Sequence, residues 1–166
     1  LDSAQLQGLP SAQILALSTA QVRAIDEAAI VGLTGSAIGN LSSGQAASLT
    51  TAQVEALSSS QIAALKGSQL VAMSSGQLRA IETADVAAIT TAALAALSSG
   101  QVRSLDTAQI DVLTTGQIAA LGADTSALTT AQIAVLDSAQ IDALTAVQVG
   151  GLSSAQVQAI EAAALA

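Results

Sequence analysis

The 166-residue sequence has no cysteine, no histidine and no phenylalanine, tyrosine or tryptophan, and only one proline. Each absence removes a class of function. Without thiolate or imidazole there is no common nucleophile, transition-metal ligand or proton shuttle for neutral pH. Without aromatic rings there is no platform on which sugars or bases stack and no aromatic interface anchor. No disulfide framework can form, so cysteine usage leaves the redox compartment open. Positive charge is scarce: Arg23, Lys66, Arg79 and Arg103 face twelve acids, for a net charge of −8. Phosphate backbones and anionic lipid surfaces would be repelled, and no nucleic-acid partner is expected. Long apolar runs are missing as well, although the mean hydropathy is +0.61. Stretches such as Ala28–Leu33 and Ala92–Leu97 reach only about six residues, against the roughly 18 to 20 a membrane span requires. No basic, apolar leader is visible. The chain starts and stops within a pattern, which marks it as an expected piece of a longer protein.

That pattern is an eight-residue phrase occurring twenty-one times. An aliphatic residue is followed by Ser, Thr or Asp, two small residues, Gln, a second aliphatic residue, a variable position and a small residue. The first position runs Leu1, Leu9, Leu17, Ile25 and onward to Leu121, then resumes one residue early at Leu128 and ends at Ile160. A fixed short period signals a repeat architecture. One continuous α-helix is ruled out, because eight residues overshoot two turns by about 80° and the apolar stripe would circle the helix. In a strand the two aliphatic positions, five apart, would face opposite sides unless every repeat contained a corner. Ala and Gln are also poor strand residues, so a β-solenoid stands as the alternative.

Most positions are explained by a helix that starts afresh in every octad. Position two holds N-cap residues such as Asp2, Ser18, Asp26, Thr50, Ser98, Asp106, Thr129 and Ser153. Three residues later stands Gln in fifteen repeats, Gln5 through Gln156, the reciprocal half of a capping box. The flanking aliphatic pair, Leu1 and Leu6 in the first copy, has the spacing of a hydrophobic staple. Each helix would span about six residues, too short to stand alone, so the repeats must stack. The expectation is an all-α solenoid of short capped helices over residues 1–166, with an irregular seven-residue repeat at 121–127. Small residues at positions four and eight would let helices pack closely, and the variable seventh position would face solvent. All three arginines occupy position seven, each three residues before an acid: Arg23 and Asp26, Arg79 and Glu82, Arg103 and Asp106. Such pairs suit helix ends but contribute under about 1 kcal/mol each.

The pattern weakens in two places. Leu121–Ala127 lacks the Gln and the second aliphatic residue and reads as a tolerated deletion making a kink, or else as a ligand-carrying loop. Residues 25–48 put Ala29 and Ala37 at the Gln position and Ala46 at the core position, which predicts weak packing. Pro10, at a cap position, fits a bend.

No chemistry-bearing constellation appears. Asp26 and Glu27 are adjacent at a helix start, and Asp106, Asp111, Asp137 and Asp142 are scattered without forming a ligand cluster. There is no glycine-rich phosphate loop and no calcium loop. No catalytic, cofactor-binding or metal-ligating residue is expected, no small-molecule ligand is evident, and the chain is not expected to be an enzyme. Stacked pairs such as Thr50-Thr51 and Thr114-Thr115 raise the alternative of a binding module, ice-binding or adhesive, that displays hydroxyl arrays. The phrase Leu-Thr-Thr-Ala-Gln-Ile-Ala-Ala, nearly intact at Leu113–Ala120 and Leu128–Ala134, resembles repeat tracts of very large secreted or surface proteins of Gram-negative bacteria, often labelled adhesin-like, haemagglutinin-like or haem-utilisation proteins. That resemblance implies an extracellular stalk or self-associating filament segment, exported by a type I route. The calcium-binding nonapeptides that accompany such proteins are absent, and no functional residues carry over.

Overall fold

The computed structural model describes residues 11–163, which form an all-α solenoid. Eighteen α-helices, from Ser11–Leu15 to Ser154–Ala163, and one 3-10 helix, Gly122–Ala127, follow one another with no strand among the described residues. The β-solenoid alternative is thereby overturned. The capping signal at position two outweighs the extended preference of the aliphatic residues and gives α-helices of four to six residues from Thr19 to Gly150, whereas at Ile160, followed by Glu161, no new helix begins. Only Ser154–Ala163 runs longer, at ten residues.

Position two is the hinge. Thr50 (φ −74°, ψ 161°), Asp106 (φ −81°, ψ 169°) and Thr129 (φ −71°, ψ 160°) are extended N-caps whose side chains accept from the backbone N–H of the Gln three residues on. The Gln Oε1 returns the bond by accepting from the cap N–H, at 2.8 Å for Thr50 and 2.7 Å for Thr129. At the other end, the position-one N–H closes a tight final turn on the position-six carbonyl, as Leu49 does on Ala46 at 3.2 Å. Leu49 is itself extended (φ −56°, ψ 141°), so two consecutive extended residues make the corner. Lys66 and Glu82 take the same extended shape without any side-chain cap bond. Stacking is thus sufficient to turn the chain where the cap residue is missing.

Each helix packs on the third helix further along: Ser43–Ser48 on Thr19–Arg23, Gly67–Ala72 on Ser43–Ser48, Thr91–Leu94 on Gly67–Ala72. One coil of the superhelix therefore takes three octads. Positions one and six turn inward on all three sides and form one continuous core from Ile14 to Leu136, extended by partly buried residues to Ile160. Position seven faces solvent at Arg23, Val31, Glu55, Arg79 and Asp111, as expected.

Residues 25–48 are not weakly packed. Ala29, Ile30, Ala37, Ile38 and Ala46 are all buried. Smaller side chains bring neighbouring coils together instead of leaving a void. At Gly39, the buried exception at position seven, an added Cβ would lie 2.5 Å from the Ala64 carbonyl oxygen. Position four is exposed to solvent yet sits close to the neighbouring coil: Gly76 there lies over the Thr51 methyl, which a Cβ would meet at 3.9 Å. Position eight also serves close packing, with Ala56, Ala80 and Ala88 against the core.

The short repeat at 121–127 neither leaves the stack nor forms a loop. The helix Thr115–Ala120 runs on through Leu121 in helical conformation, Gly122 turns the chain at φ 55°, and the 3-10 helix follows. That helix packs on Ser99–Ser104 and Ala146–Gly150, while Leu121 and Leu128 stay buried. Pro10 lies outside the described residues.

The two glycines predict different costs. Nothing lies within 4 Å of a Cβ at Gly122, so Gly122→Ala suffers only the left-handed backbone penalty of about 1–2 kcal/mol, a fall in Tm of about 2–6 °C. Gly39→Ala must push two coils apart and should lower Tm further. Thermal unfolding followed by circular dichroism reads both; a Gly39→Ala variant as stable as the parent would contradict the close approach.

Candidate functional site

Among the described residues, the side chain that recurrently joins one coil to the next is the position-five glutamine. Its Oε1 belongs to its own helix start, and its Nε2 belongs to the coil before. Gln53 donates to the carbonyls of Ile25 at 2.7 Å and Val22 at 3.0 Å. Gln109 reaches Ile81 and Leu78, and Gln117 reaches Ile89 and Val86, at the same spacings of 28 and 31 residues. These carbonyls lie where one helix ends and the chain turns the corner: the position-six carbonyl already accepts from the position-one N–H and takes the amide as a second donor, while the position-one carbonyl, past the helix end, takes the amide as its donor. Gln53, Gln61, Gln69, Gln109 and Gln117 are each about 1% exposed. The described residues contain no buried side-chain nitrogen or oxygen without a hydrogen-bond partner.

A capping box alone accepts Glu as readily as Gln. A carboxylate, however, has no N–H to give and would face two carbonyl oxygens. The bridging role, which capping logic alone does not supply, explains why position five holds no Glu in any repeat. The signal was present in the sequence as a one-sided choice between two residues that cap equally well.

The ladder adjusts where the repeat shortens. Gln132 and Gln140, which span the seven-residue repeat, reach back 27 and 29 residues, to Leu105 and Arg103 and to Leu113 and Asp111. Gln148 bonds the Ile118 carbonyl and, since Leu121 is helical and not a corner, the Thr125 hydroxyl at 2.7 Å. Thr125 occupies the Gln position of the short repeat, is fully buried and donates to the Gly122 carbonyl.

The charged residues assemble into nothing comparable. Asp26, Asp106 and Asp137 cap helices, while Asp111 and Asp142 are exposed. Arg79 directs its Nε–H to the Ser104 carbonyl at 2.6 Å, one coil along, and so meets a helix C-terminus. Among the described residues no group of three or more acids is placed to hold a metal ion. Two of the surface clefts are one repeated feature: a cleft beside Arg23 lined by Leu49, Thr50, Thr51 and Gln77 recurs beside Arg103 with Leu128, Thr129, Thr130 and Gln156. They are corners of the solenoid.

Two substitutions separate capping from bridging. Gln117→Glu keeps the cap acceptor and removes the donor, so at neutral pH it should cost about 2–3 kcal/mol, at least as much as Gln117→Ala. The buried carboxylate has its folded pKa raised above its unfolded value. Stability relative to the parent is therefore regained at low pH, where the acid carries a proton to donate, and lost as pH rises through the folded pKa. Urea unfolding across pH measures this; a neutral Gln117→Glu would leave only the capping role.

The recurrence of this unit also decides the comparison with known families. The motif Ala127-Leu128-Thr129-Thr130-Ala131-Gln132 spans a helix end, the two corner residues and the bridging Gln, and is the structural unit itself. The family model described as ALTTAQ repeat matches residues 38–67, 78–105, 86–123 and 122–154, well over half of the chain. No curated protein matches the sequence. With corners, caps and glutamines recurring in that register, the chain belongs to the ALTTAQ repeat family.

Proposed function

We propose that this chain is a non-catalytic stalk or spacer segment of a larger bacterial extracellular or surface protein, able to self-associate with identical copies or neighbouring repeats. The observation that carries this reading is the recurrence of one coil interface along the stack. The same Gln-to-corner bonds join residues 14–17 to Gln45 and residues 126–128 to Gln156. A structure in which one kind of bond recurs from the first described coil to the last suits extension by addition of further coils. Its chemistry is committed to holding coils together, and its acidic, lysine-poor surface suits solubility. The resemblance of Leu113–Ala120 and Leu128–Ala134 to tracts of Gram-negative surface proteins supports the location.

The binding-module alternative requires unbroken rows of hydroxyls. With three octads per coil, the third position stacks as Thr19, Ser43, Gly67, Thr91 and Thr115 on one side, as Gly35, Ser59, Thr83 and Thr107 on the second, and as Glu27, Thr51, Ser75, Ser99 and Ala123 on the third, so no row of hydroxyls runs the length of the stack. The spacer reading is favoured on that ground.

Length is the direct test. Helices pack about 8–10 Å apart, so inserting three octads, a second copy of residues 49–72, should lengthen the particle by about that distance in small-angle X-ray scattering. An unchanged maximum dimension would exclude a spacer built by coil addition. For the location, antibodies against the repeat should label intact cells or culture medium of the producing organism; label confined to lysed cells would refute the surface assignment.

A further inference from the structure

The bridging glutamines are unevenly distributed, and the thin place lies inside the solenoid. From Leu41 to Ala120, every octad carries one except the two that hold Asp85 and Ala93 at position five. The coil from Ile81 to Ser104 therefore keeps a single bridge, from Gln101 to the carbonyls of Leu70, Val71 and Met73. At the ladder's spacing, glutamines at 85 and 93 would reach the corner carbonyls of Val54, Leu57, Ile62 and Leu65. We infer that residues 81–96 form an internal joint, the place between Leu41 and Ala120 where this solenoid opens and bends first.

Three observations support the joint. Three of the four α-helices that lack a Gln at position five are short: Thr83–Val86, Thr91–Leu94 and Glu27–Ile30, which has Ala29 there, have four residues each, whereas Gly35–Asn40, with Ala37 there, has six. The substitute contacts are fewer and differ from side to side. On one side the Ser59 hydroxyl donates to the buried Asp85 carboxylate, a contact between two side chains where backbone carbonyls are held elsewhere. On the next side Ala93 supplies no polar bridge, and the coils meet by close packing alone, a Cβ on Gly67 falling 2.6 Å from the Ala96 Cβ. Val86 and Leu94 nevertheless stay about 1% exposed, so the joint is closed at rest. In a stack where each coil touches only its neighbours, stability is a sum of interface terms, and separation begins at the weakest one. A joint of this kind lets a long spacer flex without unfolding its remaining coils.

Native-state hydrogen exchange on the 166-residue chain tests the inference. Amides of Thr83–Val86 and Thr91–Leu94 should exchange about tenfold faster than those of Ser75–Arg79 and Thr107–Asp111, the equivalent of about two missing hydrogen bonds. Because opening exposes both faces, Ser59–Ala63 should share their dependence on urea. Asp85→Gln, which supplies the missing donor, should slow exchange across 83–94 about fivefold and leave Thr130–Ala134 unchanged. As a second variant, Gln109→Ala should widen the fast segment to Thr107–Asp111. Even protection across these helices, or fast exchange at 83–94 that neither variant alters, would overturn the joint.

Discussion

A helix of five residues consists almost entirely of ends. Its first four N–H groups and last four carbonyls have no partner within it, and such a segment is unstable in isolation. The whole structure depends on satisfying those groups in the interior of a stack. Ser, Thr or Asp at position two accepts at the N-terminus, the position-one N–H closes the final turn, and the Gln amide of a later coil donates to the corner carbonyls. Gln suits this place because one planar amide presents an acceptor and two donors on opposite edges. Local and tertiary hydrogen bonding are thereby fixed by the same side chain.

The apolar positions act together with this ladder. Leu65, Leu70, Ile110 and Ile118 are almost fully buried, and their burial holds the coils together without setting their register. Hydrophobic contact is non-directional. The amide bonds are directional and select the corner carbonyls of one preceding coil. The short repeat shows the same division of labour: Leu121 and Leu128 keep the core continuous, while Thr125 and Gln148 restore the polar contact after a residue is lost.

Much of this was legible in the residues. Caps at Ser18, Thr50, Asp106 and Thr129, the aliphatic pairs and the outward seventh position all follow from side-chain chemistry acting within about one helical turn. The weak packing expected for residues 25–48 did not follow, because close approach of coils at Gly39 depends on Ala64, a residue from the next coil. For the same reason the exposure of position four was not legible: it is set by what lies across the coil interface. The ion pairs suggested by Arg79 and Glu82 gave way to a bond with Ser104, again one coil away.

The sequence by itself determined that a helix begins after each Ser, Thr or Asp that follows an aliphatic position-one residue, and which side chains would be apolar and inward. Those choices are local, made by capping hydrogen bonds and by hydrophobic spacing. Tertiary structure alone decided that three octads make a coil, that Lys66 and Glu82 turn corners without a cap, and that Gln reaches 28 and 31 residues back. These depend on the angle at each corner, the product of two extended residues and the packing above and below them, and no eight-residue window contains that information.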